Sequence, residues 1–248
     1  MKFDLTKIKL SNNDIKRRLT LPDEMSCELA EFIGILTGDG YINYYPSNEL
    51  YVIEISGNKI SDKDYLENYV SILIKKLFNI SPKIYYAKEQ NTMYLRILSK
   101  GLFNYLTLLG FSNGRKGQIG ISQVIKNNKN FTREFVKGLA DTDFSLKLMN
   151  KPSKKSKYYP IIALRVKSKK LVFEVGSFLK EEGFNVNIIE DEILVDKRGY
   201  NNTISSSIIL SGRKNLAKWM FEISFRNKSY FDKYKKYNES IKNEGGGI

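Results

Sequence analysis

Hydrophobic positions along this chain pass from helical spacing to alternation and back, and the same succession runs twice. The apolar, small-residue stretch Phe32–Gly40 (FIGILTGDG) predicts a helix. Two aromatic and β-branched runs, Tyr41–Tyr45 and Leu50–Ser56, are separated by Pro46, Ser47 and Asn48 and predict a hairpin. Asp62–Phe78 then carries Tyr65, Tyr69, Ile72, Leu73 and Lys76 at helical spacing. Lys83–Ala87 and Met93–Leu98 predict a second hairpin, and Gly101–Leu109 a short helix. The order returns with a helix at Phe131–Asp141, strands at Ser145–Met149 and Ile161–Val166, and a helix at Lys170–Glu182. Strands at Val186–Glu190 and Ser206–Ser211 and a closing helix at Leu216–Phe225 complete it. Each half reads αββαββα, which predicts an α+β protein.

The repeat is sharpest where each half begins. Phe32–Gly40 and Val136–Phe144 (VKGLADTDF) match Gly34 with Gly138, Ile35 with Leu139, and Asp39 with Asp143, at one offset of 104 residues. Gly34 and Gly38, like Gly138 and Thr142, are four apart and share a helix face. Two such faces can pack backbone to backbone. The aspartates then end adjacent helices, where each carboxylate meets the negative end of a helix dipole and another carboxylate. A divalent cation, most simply Mg2+, resolves both unfavourable terms. The alternative for either copy alone is a helix stopped by a glycine cap.

Composition narrows the chemistry. Across 248 residues, 41 Lys and Arg stand against 27 Asp and Glu, a net charge of +14, which is the profile of a polyanion binder or of a lysine-rich proteome. The absence of histidine excludes serine–histidine triads, histidine-ligated zinc and any histidine general base. The single cysteine, Cys27, excludes an internal disulfide and a four-thiolate zinc site. Neither a secretory signal nor an 18-residue apolar run occurs, so the expected location is intracellular. The chain starts with Met and has no nucleophile at residue 1, which favours a free-standing protein over an intein.

The two motifs resemble those of the single-chain LAGLIDADG homing endonucleases, over roughly Ser26–Tyr230. Thr37 stands where the family motif has its first Asp, and Phe144 replaces its closing Gly. The resemblance implies two pseudo-symmetric halves packed on their motif helices, with two antiparallel sheets forming a DNA-binding saddle. It divides the chain into an N-terminal basic arm (1–25), a first half (26–111), a linker (112–130), a second half (131–230) and a polar tail (231–248). The implied activity is that of a monomeric endonuclease that cuts both strands of a long, imperfectly palindromic DNA site and leaves 3′ overhangs. Asp39 and Asp143, with the backbone of Gly38 and Thr142, would hold two or three Mg2+ ions. Mn2+ would substitute, and Ca2+ would support binding alone.

The resemblance also implies roles for residues outside the motifs. Lys100 and Lys214 follow the last strand of each half in matching contexts and would offset charge on the phosphate. Asn58 and Lys167 fall near the position that orients water. The concave strand faces would draw on Asn43, Tyr45, Glu54, Ser56, Tyr86, Lys88, Tyr94, Arg96, Arg165, Lys167, Asp191 and Ser207 for base contacts, with strand parity left open. Lys151, Lys154, Lys155 and Lys157 of the loop Asn150–Lys157 would meet phosphate, and Arg213 would bind DNA. The alternative is binding without cleavage, either by a maturase that grips structured intron RNA or by an inactive DNA-binding descendant.

Overall fold

The computed structural model describes residues 2–114, 117–150, 158–194 and 202–245. Its elements run α1 (Asn12–Lys16), α2 (Cys27–Asp39), β1 (Gly40–Tyr45), β2 (Leu50–Asn58), α3 (Lys63–Tyr65), a π-helical turn (Leu66–Val70) and α4 (Ser71–Phe78). There follow β3 (Lys83–Tyr86), β4 (Thr92–Leu98), α5 (Lys100–Leu108), α6 (Gln123–Lys126), α7 (Lys129–Ala140), β5 (Phe144–Asn150) and β6 (Tyr158–Val166). The chain continues through α8 (Lys169–Glu181), β7 (Val186–Leu194), β8 (Thr203–Ser211), α9 (Arg213–Glu222) and α10 (Lys228–Gly245). Two antiparallel four-stranded sheets result, ordered β1-β2-β4-β3 and β5-β6-β8-β7, and this is the expected α+β architecture.

The chain forms two compact units whose boundary differs from the expected linker. Residues Met1–Lys116 and Ser122–Thr142 form the first, so α7 belongs with α2, while Gly117–Ile121 and Asp143–Ile248 form the second. The linker is divided accordingly. Asn113 Oδ1 accepts the Tyr44 N–H (2.8 Å), whereas the Ile121 N–H donates to Glu174 (2.6 Å).

In the first unit, alternate residues of the sheet (Ile42, Ile53, Ile55, Leu95, Ile97) are buried, together with Leu29, Phe32 and Ile35 of α2. Ser26 starts α2 by accepting the Leu29 N–H (3.1 Å). The arm is less polar in fact than in sequence. Leu19 is buried, and Asp14, fully buried, receives Ser99 Oγ (2.7 Å), the Gly101 N–H (3.0 Å), Ser11 Oγ (2.7 Å) and Arg17 (3.0 Å). It thereby ties the arm to the N-terminus of α5, where a carboxylate meets the positive end of the helix.

The second unit builds its core from Phe144, Ile162, Leu164, Val175, Leu179, Ile208 and Trp219. Where the first unit uses Asp14, this one uses Asn215, whose amide spans the Asn185 N–H (3.0 Å), the Asn185 carbonyl (2.8 Å) and the Ser211 carbonyl (3.1 Å). Residues 231–245 of the expected polar tail belong to α10 instead. Tyr237 on it is buried, and the Tyr230 hydroxyl, two residues into the helix, donates to the Phe144 carbonyl (2.7 Å).

Candidate active site

α2 and α7 meet backbone to backbone. A Cβ on Gly34 would overlap the Phe135 carbonyl, and one on Gly138 the Glu31 carbonyl, so the two glycines perform one reciprocal task. Phe135, Val136, Leu139 and Ala140 on α7 are buried beside Phe32, Ile35 and Leu36 on α2. Gly34 and Gly138 thus do what their spacing predicts, and Asp39 closes α2 at the end of this contact.

The copies diverge immediately afterwards. α7 ends at Ala140, so Asp143 follows a turn instead of closing the helix. Thr142 accounts for the shortening, because its Oγ1 donates to the Leu139 carbonyl (3.0 Å) and its N–H reaches the same atom (3.3 Å). Thr142 closes the first unit and Asp143 opens the second.

Along the contact of α2 with α7 lie buried polar side chains that the pattern of apolar positions conceals. Glu31 and Asp141 are 3% and 5% exposed, and Glu31 accepts the Tyr69 hydroxyl (2.7 Å). The π-helical turn brings Tyr69 parallel to Tyr65, whose buried hydroxyl has no hydrogen-bond partner. Burial pushes the Tyr65 phenol well up, and the charges of Asp141 and Glu31, then Tyr69 and Asp39, push it further. The only signal in the sequence was the appearance of charged residues inside apolar helical runs.

This environment fits a hard divalent cation. The donors are oxygens, the last turn of α2 carries no basic residue, and the field on Tyr65 is that of several negative groups. Among the described residues no three Asp, Glu, Cys or His side chains are grouped to hold a metal, so protein side chains alone would leave positions of a cation's shell open.

The strand registers decide which other expected residues stand near the motif aspartates. Gly40 pairs with Ile55, and Ser56 Oγ donates to the Asp39 carbonyl (3.3 Å). Phe144 pairs with Leu164, so Arg165 and Lys167 follow at the corresponding end of β6. Asn58 ends β2, but its Oδ1 is committed to the Ile60 (2.9 Å) and Ser61 (3.1 Å) N–H groups of the adjoining turn. Lys167 is exposed.

Lys100 stands elsewhere. β4 runs antiparallel to β2, pairing Leu98 with Val52, so the residue after β4 lies at the opposite end of β2 from Asp39. Its Nζ sits 5.7 Å from the Tyr51 ring centre, four residues along β2 from Ile55, or about 13 Å at the usual rise. Lys214 follows Ser211, which pairs with Ile161, three residues from Leu164 along β6. Matching sequence context thus located equivalent places in the two halves, away from the motif aspartates.

The open faces are now assigned. Asn43, Tyr45, Glu54, Ser56, Tyr94 and Arg96 share the face opposite the buried isoleucines, whereas Tyr86 pairs with Met93 on the helix side, where its hydroxyl meets Glu67. Tyr85 takes its place on the open face. Lys88 is exposed between β3 and β4. In the second sheet Arg165 contacts Ser207 (3.4 Å) and Glu192 (2.7 Å). Asp191 lies at a bulge with φ of +48°, which turns its carboxylate to Lys169 (2.6 Å) and away from the open face. Arg213 and Lys214 are exposed at the start of α9. Lys151, Lys154, Lys155 and Lys157 lie outside the described residues.

No protein-family model matches the chain. Among solved structures, the homing endonuclease I-DmoI in complex with DNA and Ca aligns with a TM-score of 0.53 at 20% identity, over 79% of this chain and 88% of that one. Its complex with DNA and Mn gives 0.52 at 19% identity over 80% and 96%. The chain has the single-chain LAGLIDADG fold. The I-LtrWI LAGLIDADG homing endonuclease bound to target DNA gives 0.52 at 14% identity over 86% and 91%. The chain is also 28% identical, over 177 residues, to the uncharacterized protein MJ0314 of Methanocaldococcus jannaschii. That match covers 69% of this chain and 60% of the relative. Among the described residues, no helix is long and apolar enough to cross a membrane.

Proposed function

We propose that this protein is a monomeric, divalent-metal-dependent endonuclease that cuts double-stranded DNA at a long, asymmetric site. The reading is carried by the reciprocal Gly34–Gly138 contact, which joins two helices that each lead into an aspartate, in a fold it shares with DNA-bound homing endonucleases. Asp39 and Asp143 would hold the metal, helped by the carbonyls of Gly38 and Thr142. Mg2+, when bound, supplies Lewis acidity and charge neutralisation at the scissile phosphate. Ser56 steadies the end of α2 through the Asp39 carbonyl. Lys167, at the end of β6, is the better candidate of the two water-orienting positions, because Asn58 is bound into its turn. Lys100 and Lys214 are assigned to phosphate binding instead of chemistry, given their distance along the strands.

Duplex binding accords with the net charge of +14, since phosphate contacts by Lys and Arg dominate such affinity. The halves differ in sequence, so the two half-sites should differ as well. Cuts that leave 3′ overhangs, Mn2+ substitution and Ca2+-supported binding belong to the same reading.

The test is cleavage of a randomised duplex library by wild type, Asp39→Asn and Asp143→Asn, in Mg2+ and in Ca2+. Double-strand breaks at one site, requiring Mg2+ and both carboxylates, are expected, with binding retained in the variants. Selective binding without any break in Mg2+ or Mn2+ would replace the enzyme with a binder.

A further inference from the structure

We infer that Arg96 reads a guanine in the half-site contacted by the first sheet, with Glu54 and Tyr85 holding its guanidinium in position. The inference rests on the endonuclease reading and deepens it by assigning a base to a residue.

One row crosses all four strands on the open face. Tyr41 pairs with Glu54, Glu54 with Arg96, and Arg96 with Lys83. Arg96 lies on β4, a central strand. Its Nε donates to Glu54 Oε1, and its guanidinium lies 4.8 Å from the centre of the Tyr85 ring. Glu54 is 16% exposed and Arg96 40%, so the carboxylate is sunk in the sheet while part of the cation still faces outward. An arginine fixed on one edge and one face loses little further freedom on binding. Among the described residues, no bond engages its two terminal nitrogens, the pair that bonds two acceptors side by side.

Guanine alone among the bases offers two acceptors, O6 and N7, on its major-groove edge, and a paired arginine fork matches them. Phosphate also accepts a fork, but a β-ribbon in the groove turns its central face to the bases and leaves phosphate to its margins and turns, where Lys88 lies. Among the described residues, the second sheet offers no equivalent. Arg165 commits a terminal nitrogen to Glu192 (2.7 Å) and its Nε to Ser207.

Selection of randomised duplex DNA in Ca2+ by wild type, Arg96→Ala, Arg96→Lys and Glu54→Gln tests this. Arg96→Ala should lose preference for guanine at one base pair by about 5- to 150-fold, with other positions unchanged. Arg96→Lys keeps the charge, and with it the salt dependence of binding, but should lose the same preference. Glu54→Gln should weaken it less, at the same position. A uniform loss of affinity across all sequences, with a shallower salt slope for Arg96→Ala, would make Arg96 a phosphate contact and overturn the assignment. Unchanged preferences at every position would overturn it too. A wild-type protein that selects no duplex would end the endonuclease reading itself, an outcome distinct from the loss of this one contact.

Discussion

α2 runs through Asp39 and passes straight into β1 at Gly40, whereas α7 stops at Ala140 and reaches β5 through a turn that contains Asp143. At the strand start the two halves also differ in bulk. A Cβ on Gly40 would overlap the backbone of Leu36, while Phe144 fills its own core, its ring 5.0 Å from Trp219. The helix contact tolerates no such divergence, since Gly34 and Gly138 each meet the partner helix's carbonyl. Duplication here has preserved the backbone contact and the carboxylate and released the exit.

Removing Phe144 should have the largest effect on this comparison. Phe144→Ala should destabilise the second unit by about 3–5 kcal/mol, read by denaturant unfolding, as for other large core aromatics. A loss below about 1 kcal/mol would mean that the position is as dispensable as its glycine counterpart suggests.

Gly34→Ala and Gly138→Ala test the conserved side. Each should lose about 1–3 kcal/mol to overpacking, and by similar amounts, because the contact is reciprocal. Markedly unequal losses in parallel melts would break the symmetry argued for the two helices.

Asp14 and Asn215 perform related tasks with different chemistry. Burial alone would raise the Asp14 pKa, but bonds from Ser99, Ser11 and the Gly101 N–H outweigh it and hold the carboxyl below its ordinary 3.8. A depressed carboxylate stabilises the fold above its unfolded value, and that contribution is lost as pH falls through the folded one. Asp14→Asn should lower stability by about 1–2 kcal/mol at neutral pH and flatten the acid limb of the stability curve. An unchanged acid limb would remove Asp14 as its source.

Lys100→Met should change least. Cleavage rate at saturating DNA should be preserved while affinity falls and the salt slope shrinks. A large loss in rate with affinity intact would return this lysine to the chemistry.

Much of the fold was legible because the two hydrophobic periods alternate cleanly. The predicted Leu50–Ser56 strand and the Lys170–Glu182 helix lie within two residues of β2 and α8. The arm could be read as an arm or short helix, but not its anchoring, because that comes from Asp14, whose partners Ser99 and Gly101 lie more than 80 residues away. α10 was missed because its run of Lys, Asn and Glu masks the packing of Tyr237. The packing of Gly34 against α7 and of Gly138 against α2 was readable from spacing alone. Strand parity at Tyr85 and Tyr86, the bulge at Asp191 and the ends at which Lys100 and Lys214 emerge depend on register, which a local pattern does not encode.

The assignment of α7 to the first unit also constrains the order in which the chain can be built. The first sheet is complete at Leu98, yet the glycine face of α2 has no partner until Ala140 has been synthesised. At about 5–20 residues per second, those 42 residues occupy roughly 2–8 s of translation. During that interval the nascent first half presents an apolar helix face, so it should depend on the ribosome surface or a chaperone until its own second motif arrives.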